Sequence, residues 1–167
     1  LRLRGVIDGA DGTPVDEVTW SQAVAAGRLA LSHELIGVGR ATLGLAVTHV
    51  TERHQFGVPL GTFQAVQHRL ADVHVQLEAA VAVTRTAWID RDPWVCAAAL
   101  VAARRAVDSA SEHCLQVLGA LGCTWEHDLH RYVRRGLLLS LLLDPGAELP
   151  ALVAAAVTGA PRTEVLA

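Results

Sequence analysis

Methionine and lysine are absent from this 167-residue chain, aromatic residues make up 4% of it, and cysteine occurs three times. All fourteen basic residues are arginine, which together with abundant alanine reads as a coding bias rather than a charge design. Cys96, Cys114 and Cys123 cannot close into a paired framework, and none stands in a C-x-x-C pair suited to zinc or redox chemistry. A reduced, cytoplasmic chain is expected. Charge is scarce as well: 14 basic residues against 17 acidic give −3, which argues against a phosphate-tracking surface or a polybasic membrane patch. Neither nucleic acid nor membrane is an expected partner. The longest strongly apolar run, LLLSLLL from Leu137 to Leu143, falls far short of the roughly 20 residues that span a bilayer. The opening LRLRGVIDGADG lacks the basic, apolar and small-residue layout of a secretory leader.

What the chain does have is apolar residues, 51% of the total, at the length of one domain with a single core. Residues 1–17 read as a strand-like leader with turn signals at Asp8-Gly9 and Asp11-Gly12. Thr19, with Gln22 three residues on, suggests a capping box. A long helix is expected from there to about Arg53, with Val24, Leu31, Leu35, Val38, Leu45 and Val50 near one stripe. GVPLGT at 57–62 breaks the pattern. A second helix is expected over 63–89, carrying Val66, Leu70, Val73, Leu77 and Val81. Asp92 as N-cap and Pro93 as first helical residue open a third, which Gly119 and Gly122 stop. A fourth is expected over 128–143 and a short fifth over 147–158. The fold class is thus all-α, an up-and-down helical bundle of antiparallel neighbours over 18–160, with a tail at 161–167.

Several residues invite chemistry that their surroundings do not support. His127 and His130, with Glu126 adjacent, and His68, one turn from Asp72, suggest metal ligands, but no third ligand is fixed by local spacing, so polar or capping roles are expected and no metal. Cys123 reads as a small buried thiol. Trp20, Trp88, Trp94 and Trp125 read as core or interface anchors.

Two separated motifs carry a resemblance. The segment ERHQFGVPL (52–60) followed by FQAVQHRLAD (63–72), and then QVLGALGCTWEHDLH (116–130), stand in one order and register. Together they resemble the C-terminal helical domain of the acyl-CoA dehydrogenases, with R-x-x-F-G, F-Q, L-A-D and a Q-x-x-G-G-x-G-like loop. The WEHDLH stretch resembles the steroid-degrading branch. The resemblance implies FAD, shared with another subunit or domain. Arg53, Gln55 and Phe56 would reach its pyrophosphate and adenosine, Phe63 and Gln64 would line the same region, and Gln116 with Gly119 and Gly122 would let backbone approach the dinucleotide. Ala120 replaces the family's second glycine. Arg28 matches a family arginine near the acyl-CoA pocket.

The same resemblance locates two alternative places for the family's catalytic glutamate, and both are empty of one. Leu143 stands twenty-seven residues after Gln116, and Gly27 directly precedes Arg28. Neither side chain can take a proton. Asp144 and Glu34 are nearby carboxylates out of the family register. No catalytic residue is therefore assigned to this chain. Two readings follow: a component of a FAD-dependent acyl-CoA dehydrogenase that works in a multi-subunit assembly with an acyl-CoA dehydrogenase-type partner, or a non-catalytic interaction subunit supporting such an assembly. Heteromeric pairs of unequal subunits are implied by the steroid-degrading resemblance.

Overall fold

A computed structural model describes residues 16–143 and Thr158; the strand-like leader and most of the proposed fifth helix lie outside these described residues. The chain order is α1 (Glu17–Glu52), a two-stranded hairpin of β1 (His54–Gln55) and β2 (Val58–Pro59), a 3-10 turn (Leu60–Thr62), α2 (Gln64–Asp90), α3 (Pro93–Leu118), a second 3-10 turn (Gly119–Cys123) and α4 (Leu129–Ser140). The helical bundle is as expected, and the helix borders fall within a few residues of the reading. Two differ for local reasons. Helix α1 begins two residues before Thr19, because Asp16 is the N-cap and its carboxylate accepts from the Thr19 amide at 2.9 Å and from the Thr19 hydroxyl at 2.6 Å. Helix α4 ends before 143, because Leu141 and Leu142 donate to carbonyls three residues back and Leu143 turns into the left-handed region.

Consecutive helices run antiparallel, yet the most extensive contact is between α1 and α3, which run parallel. Ala25 and Leu29 meet Cys96 and Ala99 at one end, and Ala46 meets Cys114 and Leu118 at the other. Composition explains the closeness. The buried face of α3 is largely Ala97, Ala99, Ala103, Ala106 and Ala110, and small side chains let helix axes approach. Around this pair the core gathers Leu35, Ile36 and Val38 of α1, Val73 and Leu77 of α2, Leu100 and Val107 of α3, and Leu139 of α4. Two glycines permit the tightest crossings: a Cβ on Gly39 would lie 2.6 Å from Leu77 Cδ2, and one on Gly136 would lie 2.6 Å from Val107 Cγ1. Ion pairs tie the outer faces, Arg40 to Glu78 at 2.8 Å and Arg135 to Glu34 at 3.0 Å.

Two expectations about packing are corrected. Cys123 is exposed, because it closes the second 3-10 turn on the surface. Trp20, Trp88 and Trp125 are exposed, which removes the core alternative for them and leaves that of interface anchors untested. Arg91 stacks over Trp88 at 4.7 Å and Arg134 over Trp125 at 5.6 Å, so each of these two rings carries a cation on one face. Among the described residues no helix is long and apolar enough to cross a membrane.

Candidate functional site

The segment after α1 forms a hairpin that the sequence reading took only for a break. His54 pairs with Pro59 and Gln55 with Val58, leaving Phe56 and Gly57 as a two-residue turn. Both have positive φ, 54° and 83°, the pattern of a type I′ turn, which suits glycine and disfavours an aromatic residue. Phe56 is 93% exposed, and its ring meets that of Phe63 edge to face at 6.3 Å. An aromatic side chain held in a left-handed turn and displayed to solvent is the kind of local cost that clusters at binding sites. The base of the hairpin is closed by the Leu60 amide donating to the Arg53 carbonyl at 2.8 Å. Gln67 Nε2 donates to the Gly61 carbonyl at 2.8 Å, which sets the start of α2 against the turn. Phe63 is the residue before α2 and Gln64 is its first, with an exposed side chain.

A groove of about 650 Å³ lies beside this hairpin, lined by His49, Glu52, Arg53 and Leu60 on one side and by Val117, Leu118, Gly119, Ala120 and Leu121 on the other. Arg53 and Gly119 belong to different motifs, sixty-six positions apart in the sequence, and the bundle brings both to one end of the molecule. The joint between α3 and the second 3-10 turn depends on Gly119, whose φ of 60° and ψ of −138° only glycine adopts readily, and nothing stands within 4 Å of where its Cβ would be. Ala120 keeps an ordinary negative φ, so its methyl costs the turn no strain. Gln116, in the last turn of α3, is exposed. Gly122 differs from its neighbours: it is buried, and a Cβ there would sit 3.2–3.3 Å from Leu118, Leu115 and Leu129. Its lack of a side chain serves packing of the turn.

His49 is the lining residue that the motif reading missed. It lies one turn before Arg53 on the same helix face, and that i, i+4 spacing was the available signal. Burial, and then the charges of His127 and Arg53, hold its pKa below the ordinary value of 6.5, so it is neutral where Arg53 is the local cation. Two of the histidines that suggest metal ligands, His127 and His130, are engaged locally. His127 Nδ1 accepts from the Leu129 amide at 3.1 Å, and His130 Nδ1 lies 2.7 Å from the His127 carbonyl. Among the described residues no group of three or more His, Cys, Asp or Glu could hold a metal ion.

Arg28 lies in a second cluster. It is buried on α1, and twenty-five residues of helix separate it from Arg53, about 37 Å at 1.5 Å per residue. Gly27 and Leu143, the two positions identified by counting from separate motifs, meet here: a Cβ on Gly27 would lie 2.6 Å from Leu143 Cδ1. Glu34, two turns along, is bound by both Nε and Nη2 of Arg135, at 3.2 and 3.0 Å. Asp144 lies outside the described residues.

The chain matches the family described as acyl-CoA dehydrogenase, C-terminal domain, over residues 18–142. Acyl-CoA dehydrogenase FadE34 of Mycobacterium tuberculosis is 44% identical over 112 residues, covering 63% of this chain and 16% of that protein. Acyl-CoA dehydrogenase IpdE2 of Mycolicibacterium smegmatis is 34% identical over 147 residues, 88% of this chain and 46% of that protein. A solved variant of the Tcur3481-Tcur3483 steroid ACAD superposes with a TM-score of 0.76 at 27% identity, over 85% of this chain and 42% of that one. This chain thus spans less than half the length of the relatives it matches. With both motifs brought to one groove and the family's domain matched over most of the bundle, the chain belongs to the acyl-CoA dehydrogenase family, whose C-terminal domain it represents.

Proposed function

We propose that this chain supplies one side of a FAD site in a multi-subunit acyl-CoA dehydrogenase, and that another subunit or domain supplies the rest, including the base that starts the oxidation. The observation that carries this reading is the shared groove: Arg53, from the first motif, faces the Gly119–Leu121 backbone, from the second. The residues fit a dinucleotide. An exposed guanidinium suits a pyrophosphate, a displayed aromatic ring suits a flat heterocycle, and a glycine turn with open space above it lets backbone amides approach. Arg53, Gln55 and Phe56 would hold the nucleotide end, Phe63 and Gln64 would flank it, and Gln116 and Gly119 would close it. Gly122 would act indirectly, by letting the turn pack.

A bound flavin supplies two-electron oxidation of the bond between the carbons α and β to the thioester. This chain's residues bind and orient. Arg28, far along α1, would contribute to the acyl-CoA side, and the apolar pair of Gly27 and Leu143 offers no proton acceptor there. That pair favours the second reading, a non-catalytic subunit whose contribution is assembly and half of a cofactor cradle. The steroid ACAD among the similar structures supports a steroid-like or otherwise bulky acyl group as the substrate class.

The test is reconstitution. The chain alone should purify colourless, and addition of a partner chain carrying the missing domains should yield a yellow complex. Arg53→Ala should then weaken flavin retention roughly ten- to a hundredfold, as expected for loss of a charge-assisted contact of about 1.5–3 kcal/mol. Stoichiometric, tight FAD on the isolated chain, or unchanged retention in Arg53→Ala, would refute a shared cradle.

A further inference from the structure

The groove beside the hairpin is built at two helix ends that do not themselves favour an anion. Helix α1 ends at Glu52 and α3 at Leu118, so both bring their carbonyl termini, the negative ends of their dipoles, to its walls. Its fixed charges cancel, Glu52 against Arg53. A dianionic pyrophosphate in such a place is only partly offset by one exposed guanidinium beside a carboxylate. Among the described residues, the remaining ionisable side chain of the lining is His49. It stands half-buried in the last turn of α1, one turn before Arg53, whose amide donates to the His49 carbonyl at 2.9 Å. Burial is the first cause that keeps the ring neutral at neutral pH, and the charges of His127 and Arg53 add to it, while Glu52 acts in the opposite sense. His127 comes from the loop before α4, where its Nδ1 accepts from the Leu129 amide. His54 of the hairpin, with Nδ1 2.9 Å from the Glu52 carbonyl, does not line the groove. The lining from α3 and the two 3-10 turns brings no ionisable side chain.

We propose that His49 completes the cation set of this groove by protonating as the dinucleotide binds, which makes cofactor retention pH-dependent through this one side chain; the proposal rests on the reading of the groove as a FAD cradle. A dianion within reach favours the charged imidazole by direct attraction, and a half-buried charge is screened less than an exposed one. The helix end favours it too, since a cation in the last turn of α1 faces the terminal carbonyls. Ligand and proton therefore bind with positive coupling, each raising affinity for the other by the same factor. His49 titrates below 6.5 without the ligand and higher with it. FAD is thus held most tightly in mildly acidic solution, and the share that His49 contributes is lost as pH rises through the bound-state value.

Flavin retention in the reconstituted complex, followed at about pH 5.5 and about pH 8, tests this without any turnover. Wild type should hold FAD roughly tenfold more tightly at the lower pH, the factor that one unit of difference between the free and bound imidazole gives. His49→Gln should flatten that dependence, and His54→Gln should keep it. A dependence that survives in His49→Gln would overturn the proposal and leave the cradle standing, as would a flat wild-type profile while Arg53→Ala still weakens retention. Unchanged retention in Arg53→Ala removes the cradle, and the role of His49 with it. The full chain alone gives a second readout. Its His49 ring resonances, assigned by their loss in His49→Gln, should titrate at higher pH with millimolar ADP-ribose, whose pyrophosphate stays ionised throughout this range. Saturation that moves other resonances but leaves that titration in place would equally overturn the proposal.

Discussion

Residue by residue, the environment decides which of several similar groups is reactive. Burial pushes the Cys114 thiol up to about 12 and also raises that of Cys96, with Asp92 adding to the effect, whereas Cys123 is exposed on its turn. One thiol per native chain should therefore react with a disulfide reagent at mildly alkaline pH, three after unfolding, and none rapidly in native Cys123→Ser. His49 gives a pH dependence of definite sign. Its folded-state pKa lies below 6.5, so the unfolded chain takes up the proton first as pH falls. Its contribution is full above the unfolded value and is lost on acidification through 6.5. Urea midpoints measured between about pH 5 and 7 should fall less steeply in His49→Gln than in wild type.

At the scale of an element, the same residue type has opposite meanings in one helix. Gly37 and Gly44 of α1 have nothing within 4 Å of a built Cβ, while Gly39 between them is pressed by Leu77. Gly37→Ala and Gly44→Ala should each stabilise the chain by up to about 1 kcal/mol, read as a higher denaturation midpoint. Gly136→Ala should destabilise it by roughly 1–3 kcal/mol, because its Cβ would strike a β-branched side chain that has little freedom to move aside. The hairpin is the element that sequence patterning concealed. Its strands are two residues each, too short for alternation to register, and its turn is Phe-Gly rather than the favoured Asn-Gly or Asp-Gly. The helices were legible because DRDP at 90–93 and the glycine at 119 punctuate the chain at the same points where caps form in three dimensions.

For the molecule as a whole, one run of neighbouring exposed apolar side chains stands out among the described residues. Leu137, Leu138, Leu141 and Leu142 are each more than half exposed along the end of α4. Faces of this kind mark association surfaces. The purified chain should self-associate in sedimentation and bind a hydrophobic dye, and Leu138→Glu with Leu142→Glu should shift it towards monomer while leaving its helical circular dichroism intact. An unchanged sedimentation profile in that double variant would remove α4 as the association surface.

The sequence alone determined the helical class, six of the eight borders of the described helices to within a residue, and the membership of Arg53, Phe56, Gln116 and Gly119 in two family motifs, because caps, glycine stops and periodic apolar residues act over one or two turns. It did not determine which residues meet. The parallel packing of α1 on α3 follows from alanines that leave room for a neighbouring helix, and a run of alanines reads only as helix former until that neighbour is in place. His49 joined the groove, Gly122 left the surface and Glu34 found Arg135 through contacts between elements. The meeting of Gly27 with Leu143 spans 116 positions of sequence and depends on the antiparallel placement of α4 against α1, so only tertiary structure could bring those two positions together.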